Sequence, residues 1–144
     1  MEYEYARINL EQTNYEIMPP ENFKVLKDWN FEELQSIFNQ YCKYKKFPSV
    51  MPIFVEDCIN SEILGYYDNN KLVAWSMIMQ YPSQLSACAE QFSWTYHNPK
   101  LRLGIESLKS ECAYYKNKGF KYLYIHGADE YKKEFDGFEM LGPA

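Results

Sequence analysis

The chain has 144 residues, of which 47% are hydrophobic, 24% charged and 18% aromatic. This length and composition predict a single globular domain, residues 1–144, with its own core. The net charge of −5 argues against broad nucleic-acid binding, which depends on many cations facing phosphates. The acidic N-terminus does not resemble a signal peptide, and no apolar run has the length of a membrane span. We therefore expect a cytoplasmic protein without a membrane partner.

The four cysteines are widely spaced and have no histidine at ligand spacing; they are Cys42, Cys58, Cys88 and Cys112. This spacing predicts no metal site and fits a reducing compartment. Cys112 falls on the apolar stripe of a predicted helix, which indicates the core. Cys88 would act as a nucleophile only beside a histidine, and the sequence does not place one there.

The first 61 residues predict a strand and one or two helices. A first strand is expected near residues 15–18. Asn30 followed by Glu33 forms a capping box that starts a helix, which should end near Lys46. Residues 52–61 allow a short second helix.

The next section predicts an antiparallel hairpin followed by a third strand. Residues 62–67 and 71–80 are β-prone and flank Asp68-Asn69-Asn70, whose residues tolerate the positive φ of a tight turn. The second of these strands is apolar on both faces, which predicts a central position. The aromatic run within residues 86–97 predicts the third strand, which ends at Asn98-Pro99.

A helix and a strand are expected within Lys100–His126. The helix has one stripe of apolar or half-apolar residues, namely Leu101, Ile105, Leu108, Cys112 and Tyr115. Gly119 supplies the helix stop, and a nearly continuous β-prone run follows it, as in a strand covered on both faces. Residues 128–135 and 137–141 predict a short helix and a last strand.

The segment from residue 99 to residue 126 is basic. It holds six Lys or Arg and two Glu, or +4, which leaves −9 for the rest of the chain. The free amides and the dipole at the helix entrance favour an anion site there. A solvated basic helix face is the alternative interpretation.

The order strand, helices, three-strand meander, helix, strand, helix, strand resembles the GCN5-related N-acetyltransferase (GNAT) family. Four stretches carry the resemblance: Leu64–Ala74 in the hairpin, Leu103–Leu108 at the helix entrance, Lys118–Ile125 in the next strand, and Gly137–Glu139. The resemblance implies an α+β fold with a mixed central sheet of about six strands flanked by helices. It also implies transfer of an acyl group from acetyl-CoA or another acyl-CoA to a primary amine.

The resemblance assigns the cofactor-binding residues. The pyrophosphate would lie on Arg102, Leu103, Gly104 and Ile105, and the thioester carbonyl on backbone amides of Trp94, Thr95 and Tyr96. The acceptor would be a small-molecule or peptide amine, and the protein a monomer or homodimer.

The chemistry requires a neutral amine, a donor to the oxyanion and a proton for the departing thiolate, with no metal. Glu90 or Glu106 would be the base and Tyr131 the acid. Each has a structural alternative: a solvated strand residue for Glu90, a helix-dipole partner for Glu106 and a packing tyrosine for Tyr131.

The sequence departs from the family pattern at three positions. Leu101 stands where the family has a basic residue, Glu106 where it has a small one, and Lys133 where it often has a tyrosine. A catalytically silent binding module of the same fold is therefore one alternative. A transferase that uses an acyl carrier protein or an aminoacyl-tRNA as donor is the other.

Overall fold

A computed structural model of the protein describes residues 5–46, 53–95, 102–126 and 132–141. The strands in these residues are β1 (Tyr5–Asn9), β2 (Phe23–Leu26), β3 (Glu62–Asp68), β4 (Lys71–Tyr81), β5 (Ser86–Trp94), β6 (Tyr122–His126) and β7 (Phe138–Met140). The α-helices are α1 (Phe31–Lys45), α2 (Val55–Ile59) and α3 (Leu103–Asn117). Within this part of the chain the strands form one mixed sheet of seven, in the order β2-β3-β4-β5-β6-β1-β7. The predicted α+β architecture is confirmed, with one strand more than expected.

The predicted first strand at residues 15–18 is wrong. These residues lack regular structure, and the Met18 amide donates to Ser110 Oγ of α3 at 3.1 Å rather than to a strand. The N-terminal strands are β1 and β2 instead. β1 lies between β6 and β7 and is antiparallel to both.

Helix α1 begins and ends as predicted. Asn30 Oδ1 accepts a hydrogen bond from the Glu33 amide at 3.0 Å, and Lys46 ends the helix in the left-handed conformation. The buried residues of α1 pack beside Trp75 of β4, whose Nε1 donates to the Leu34 carbonyl at 3.0 Å. The expected second helix is also present, as α2.

Strand β4 is central, as its sequence predicts. Asn69 and Asn70 both have positive φ, at 51° and 64°, so the β3–β4 hairpin closes with the tight turn expected of them. Trp75 packs in the cluster that includes α1, whereas Ala74 and Ile78 pack in the cluster that includes α3. Both faces of β4 are therefore covered.

Helix α3 ends at the predicted glycine. Gly119 has φ +89°, its amide donates to the Lys116 carbonyl, and the Phe120 amide donates to the Tyr115 carbonyl. These two hydrogen bonds form a Schellman motif. In the strand that follows, β6, Leu123 and Ile125 are buried on one face, whereas the other face is partly exposed. The expectation that both faces are covered is therefore wrong.

On the outer face of β6, Tyr122 and Tyr124 are half-exposed. The Arg7 guanidinium of β1 lies 3.9 Å from the ring centroid of Tyr122. The ring of a tyrosine can pack against apolar neighbours while its hydroxyl stays in water. This β-prone run therefore does not need a second covering layer.

Candidate functional site

Strand β5 extends past its pairing with β6. The parallel pairing runs from Ser86–Tyr122 to Ala89–Ile125, whereas β5 continues along β4 as far as Trp94. In the described residues, the stretch Glu90–Trp94 therefore lies beyond the end of the pairing with β6. We call this stretch the open edge of β5.

Two backbone amides face outward along the open edge. Thr95 donates to the Val73 carbonyl at 2.8 Å, and antiparallel pairs alternate between bonded and non-bonded. The pairs Ala74–Trp94 and Ser76–Phe92 are therefore of the non-bonded kind, and the amides of Trp94 and Phe92 point away from β4.

This alternation distinguishes two of the predicted thioester-binding residues, Trp94 and Thr95, by the direction of their amides. The Thr95 amide is used in pairing with β4, whereas the Trp94 amide faces the open edge. Phe92 joins Trp94 there, although sequence reasoning did not select it. The alternation of bonded and non-bonded pairs, counted back from Thr95, identifies Phe92, but only when the register between β4 and β5 is known. Tyr96 lies outside the described residues.

Glu90 is the extra residue of a β-bulge. Met77 pairs with Gln91 and Ile78 pairs with Ala89, which leaves Glu90 without an opposing residue on β4. A bulge redirects the side chain it carries and is common beside active sites. The half-buried Glu90 thus begins the open edge of β5.

Cys88 lies beside Glu90 and is a poor nucleophile. Burial raises the pKa of the Cys88 thiol to about 12, and the neighbouring Glu90 carboxylate contributes to the rise. The thiol is therefore protonated at neutral pH. Cys112 is fully buried in the core, as its position on the helix stripe predicts.

Aromatic side chains surround the far end of the open edge. The Phe92 ring lies 6.2 Å from Tyr66, which packs on α3, and 6.5 Å from Tyr41 of α1. Trp94 packs against Tyr41 and Tyr44, with ring centroids 5.2 and 5.1 Å apart. The open edge thus lies between α3 and the last turns of α1.

Helix α3 packs on the same core cluster as the open edge. Leu103 and Ile105, like Phe92 and Trp94, pack against this cluster. Tyr66, whose ring lies 6.2 Å from that of Phe92, donates to the Ser107 carbonyl of α3. Arg102 precedes the helix in the left-handed conformation, with φ 50°, and its carbonyl accepts from the amides of Ile105 and Glu106. The amides of Leu103 and Gly104 belong to the first turn, where a helix has no internal acceptors. This turn is the predicted anion site.

Glu106 pairs within its own helix. Its carboxylate lies 4.0 Å from Lys109 Nζ, one turn along α3. The salt bridge offsets part of the repulsion that a carboxylate at this position would exert on a bound phosphate. Because both side chains are more than one third exposed, solvent weakens the pair.

The basic segment is partly neutralised by contacts within the protein. Lys116 donates to the Thr13 carbonyl, and Lys118 lies 3.4 Å from the Glu62 carboxylate. These lysines hold α3 to neighbouring parts of the chain, which argues against an anion site in this part of the segment.

A buried carboxyl group underlies the site. Glu111 is 4% exposed and accepts hydrogen bonds from Tyr66 Oη at 2.5 Å and Ser76 Oγ at 2.7 Å. Burial raises its pKa to about 7, against the lowering effect of the two hydroxyl donors and of Lys132. Tyr66 also contacts Phe92, so the hydrogen-bonded group of Glu111, Tyr66 and Ser76 packs against the open edge.

Tyr131, the predicted acid, lies outside the described residues. The residues that follow it, Lys132–Glu134, form a 3-10 turn before β7. Lys133 is exposed in that turn.

In the described ranges, no group of three or more His, Cys, Asp or Glu side chains is arranged to hold a metal. None of the helices in these ranges has the length and apolar character needed to cross a membrane. A groove of about 480 Å³ lies between α2 and the β2–β3 edge, three strands away from the open edge.

Comparisons of the fold agree with the predicted architecture. No protein-family model matches the sequence, and neither does any curated protein. A putative acetyltransferase of the GNAT family from Novosphingobium aromaticivorans superposes with a TM-score of 0.67 at 11% identity, over 98% of this chain and 61% of that one. An aminoglycoside acetyltransferase from an uncultured soil metagenomic sample, in complex with trehalose, gives 0.55 at 14% identity, over 77% of this chain and 79% of that one.

The C-terminal domain of a putative lysylphosphatidylglycerol synthetase from Agrobacterium fabrum superposes with a TM-score of 0.68 at 11% identity. The match covers 88% of this chain and 47% of that one, so this chain spans about half the length of that domain. At such low identities the likeness concerns the fold alone. The protein has the mixed α+β fold of the GNAT acyltransferases.

Proposed function

We propose that the protein is an N-acyltransferase that moves an acyl group, in the first instance acetyl, from acyl-CoA to a primary amine. The observation that carries the proposal is that the open edge of β5 and the first turn of α3 pack on the same core cluster. Outward amides on the strand suit an oxyanion, and the amides of the helix entrance suit a pyrophosphate. The strand edge and the helix entrance thus offer groups for the thioester and for the pyrophosphate of the donor.

The reaction proceeds by direct attack of the amine on the thioester. Glu90, directly or through water, accepts a proton from the amine, and the carbonyl oxygen lies on the amides of Trp94 and Phe92. Tyr131 protonates the departing thiolate. Arg102, Leu103 and Gly104 hold the pyrophosphate, whereas the amide of Ile105, the fourth residue expected there, is bonded to the Arg102 carbonyl. The acceptor is a small-molecule or peptide amine. No step requires a metal.

Calorimetry with acetyl-CoA and with longer acyl-CoAs tests the donor. We expect binding by the native protein and its loss in Gly104→Glu, because a second carboxylate in the first turn of α3 repels the pyrophosphate. Gly104→Ala serves as the control for the loss of glycine alone. Absence of binding at millimolar acyl-CoA would refute a CoA-dependent reaction.

Glu90→Gln tests the base separately. We expect acyl-CoA binding to persist while turnover with an amine falls roughly 100-fold or more, the usual contribution of a general base. Turnover equal to that of the native protein would remove Glu90 from the mechanism.

A second candidate keeps the transfer and changes the donor to an aminoacyl-tRNA or an acyl carrier protein. The fold likeness to a domain named as a lysylphosphatidylglycerol synthetase favours it. Binding of an aminoacyl-tRNA that weakens with salt, without binding of acyl-CoA, would support this candidate. Failure to bind either kind of donor would leave the catalytically silent module, to which the unusual Glu106 and Lys133 already point.

A further inference from the structure

One buried residue of α3 is linked to the open edge of β5 through two partners. Glu111 Oε2 accepts hydrogen bonds from Tyr66 of β3 at 2.5 Å and from Ser76 of β4 at 2.7 Å. Ser76 is paired directly with Phe92 of β5, and the ring of Tyr66 lies 6.2 Å from that of Phe92. Both partners of Glu111 therefore contact or pair with the residue whose amide faces outward on the open edge.

The same hydrogen bonds fix α3 against the sheet. Tyr66 Oη lies 3.3 Å from the Ser107 carbonyl oxygen, in addition to its contact with Glu111. Ser107 and Glu111 are four residues apart, so they lie on one face of the helix in successive turns. A movement of α3 along its axis, or a rotation about it, would break at least one of these bonds. The position of the helix entrance relative to β5 therefore depends on Tyr66 and Glu111.

A carboxyl group is a costly residue at this place in the core. Glu111 is 4% exposed, and an apolar side chain of similar volume would fill the space without a desolvation penalty. Burial raises the pKa of Glu111 to about 7, and buried carboxyl groups of this kind are found preferentially at functional sites. The glutamate adds what an apolar residue lacks, namely hydrogen bonds to two strands in a fixed geometry.

We propose that Glu111 is a positioning residue of the acyl donor site. By binding Tyr66 and Ser76, it sets the distance between the outward amide of Phe92 and the first turn of α3. The thioester and the pyrophosphate of one donor are then bound together, and each contact favours the other because the second one forms within the complex. This role rests on the proposed function, whereas the coupling of helix to strand does not.

A pair of tyrosine variants tests the proposal by calorimetry with acetyl-CoA. Tyr66→Phe and Tyr115→Phe each remove a buried hydroxyl that bonds a glutamate between α3 and β3, on Glu111 and on Glu62 respectively. Tyr115 lies near the end of α3 remote from its first turn. We expect Tyr66→Phe to weaken acetyl-CoA binding roughly 10-fold or more, a small part of the gain that linked contacts give. Tyr115→Phe should weaken it less.

ADP supplies a readout that a general loss of stability would not give. It carries the pyrophosphate without the thioester, so its affinity should be the same in Tyr66→Phe, Tyr115→Phe and the native protein. Glu111→Gln keeps an acceptor for both hydroxyls and should bind acetyl-CoA as the native protein does. Equal losses of acetyl-CoA and ADP affinity in Tyr66→Phe, or a loss of acetyl-CoA affinity no larger than that in Tyr115→Phe, would overturn the proposal.

The groups around Glu111 allow its ionisation to be followed separately. They are Tyr66 of β3, Lys132 before β7 and, on α3 itself, Cys112 and Tyr115. Burial raises the pKa of Tyr66, Cys112 and Tyr115, so their hydroxyl and thiol groups stay protonated at neutral pH. A change with a midpoint near pH 7 that Glu111→Gln abolishes therefore reports the ionisation of Glu111.

Such a change tests the coupling of helix to strand without any donor. The NMR shifts of the Phe92 and Gly104 amides should both follow this ionisation in the native protein and in neither case in Glu111→Gln. A Phe92 amide that does not respond would overturn the coupling. Coupled shifts without acetyl-CoA binding would keep the coupling and remove the transferase. Acetyl-CoA binding that Tyr66→Phe leaves intact would keep the transferase and remove the positioning role.

Discussion

Glu111 lies in an environment that disfavours its charged form. A buried carboxylate is costly, and here two hydroxyl donors replace its water. The result is a pKa of about 7 rather than the usual 4.5. The folded state therefore binds a proton that the unfolded chain has already released.

This proton predicts how stability depends on pH. A carboxyl whose pKa is raised by folding stabilises the protein fully below about pH 4.5, and the stabilisation is lost as pH rises to about 7. The loss is on the order of 3 kcal/mol. In Glu111→Gln, a neutral side chain of the same shape, thermal unfolding should not show this loss.

The control is Glu16→Gln, which changes an exposed carboxylate in a loop. Its stability should follow the native pH dependence. A Glu111→Gln variant with that same dependence would show that Glu111 does not titrate between these limits.

Sequence reasoning did not select Glu111, although a signal was present. The residue lies between Leu108 and Cys112 on the buried side of α3, so it breaks the apolar face of the helix. Pattern alone cannot tell such a residue from one at the border of a stripe. Its partners, Tyr66 of β3 and Ser76 of β4, are far from it in the sequence.

At the scale of elements, two glycines with positive φ predict different costs for the same substitution. Gly119→Ala should cost about 1 kcal/mol, because a Cβ there meets nothing and only the left-handed conformation is penalised. In Gly137→Ala the added Cβ also collides with the Asn9 carbonyl oxygen of β1. We expect about 2–4 kcal/mol there, measured by urea unfolding. Equal losses would contradict the predicted collision.

The helix cap of α1 gives a second prediction at this scale. Asn30→Ala removes the acceptor of the Glu33 amide and should cost about 1 kcal/mol, whereas Asn30→Ser should keep most of the stability. Thermal unfolding of both variants checks this. A loss in Asn30→Ser as large as that in Asn30→Ala would indicate that the capping bond contributes little.

The elements that the sequence predicted best are those whose ends are marked by capping or turn residues. α1 has its cap, the β3–β4 turn has its two asparagines, and α3 has Gly119. Residues 15–18 were wrongly predicted as a strand because their apolar side chains pack against the core although their backbone is not part of the sheet. Nothing within a few residues of β1 distinguishes it from such a segment.

At the scale of the whole molecule, the N-terminal strand holds the far end of the sheet together. Within the described residues, β1 supplies the antiparallel partner of β7 and one of the two partners of β6. Ala6 and Ile8 are also buried in the core cluster around α3. Removing this strand exposes apolar surface and leaves backbone groups on two strands without partners.

Deletion of residues 1–9 should therefore abolish cooperative thermal unfolding, followed by circular dichroism. Arg7→Ala is the matched control, because Arg7 points to the outer face and forms a partly exposed ion pair with Glu139. That substitution should cost about 1 kcal/mol or less. A truncated protein that unfolds cooperatively at the native temperature would show that β1 is dispensable.

By itself, the sequence determined the α+β class, the order of most elements after residue 30, and the helix entrance as a candidate anion site. Each depends on interactions between residues close in the chain: caps, turns and periodic burial. Only the tertiary structure decided that β1 lies between β6 and β7, that Glu111 joins Tyr66 and Ser76, and that the Trp94 amide faces outward while the Thr95 amide does not. These features depend on strand register and long-range packing, which short-range sequence patterns do not specify.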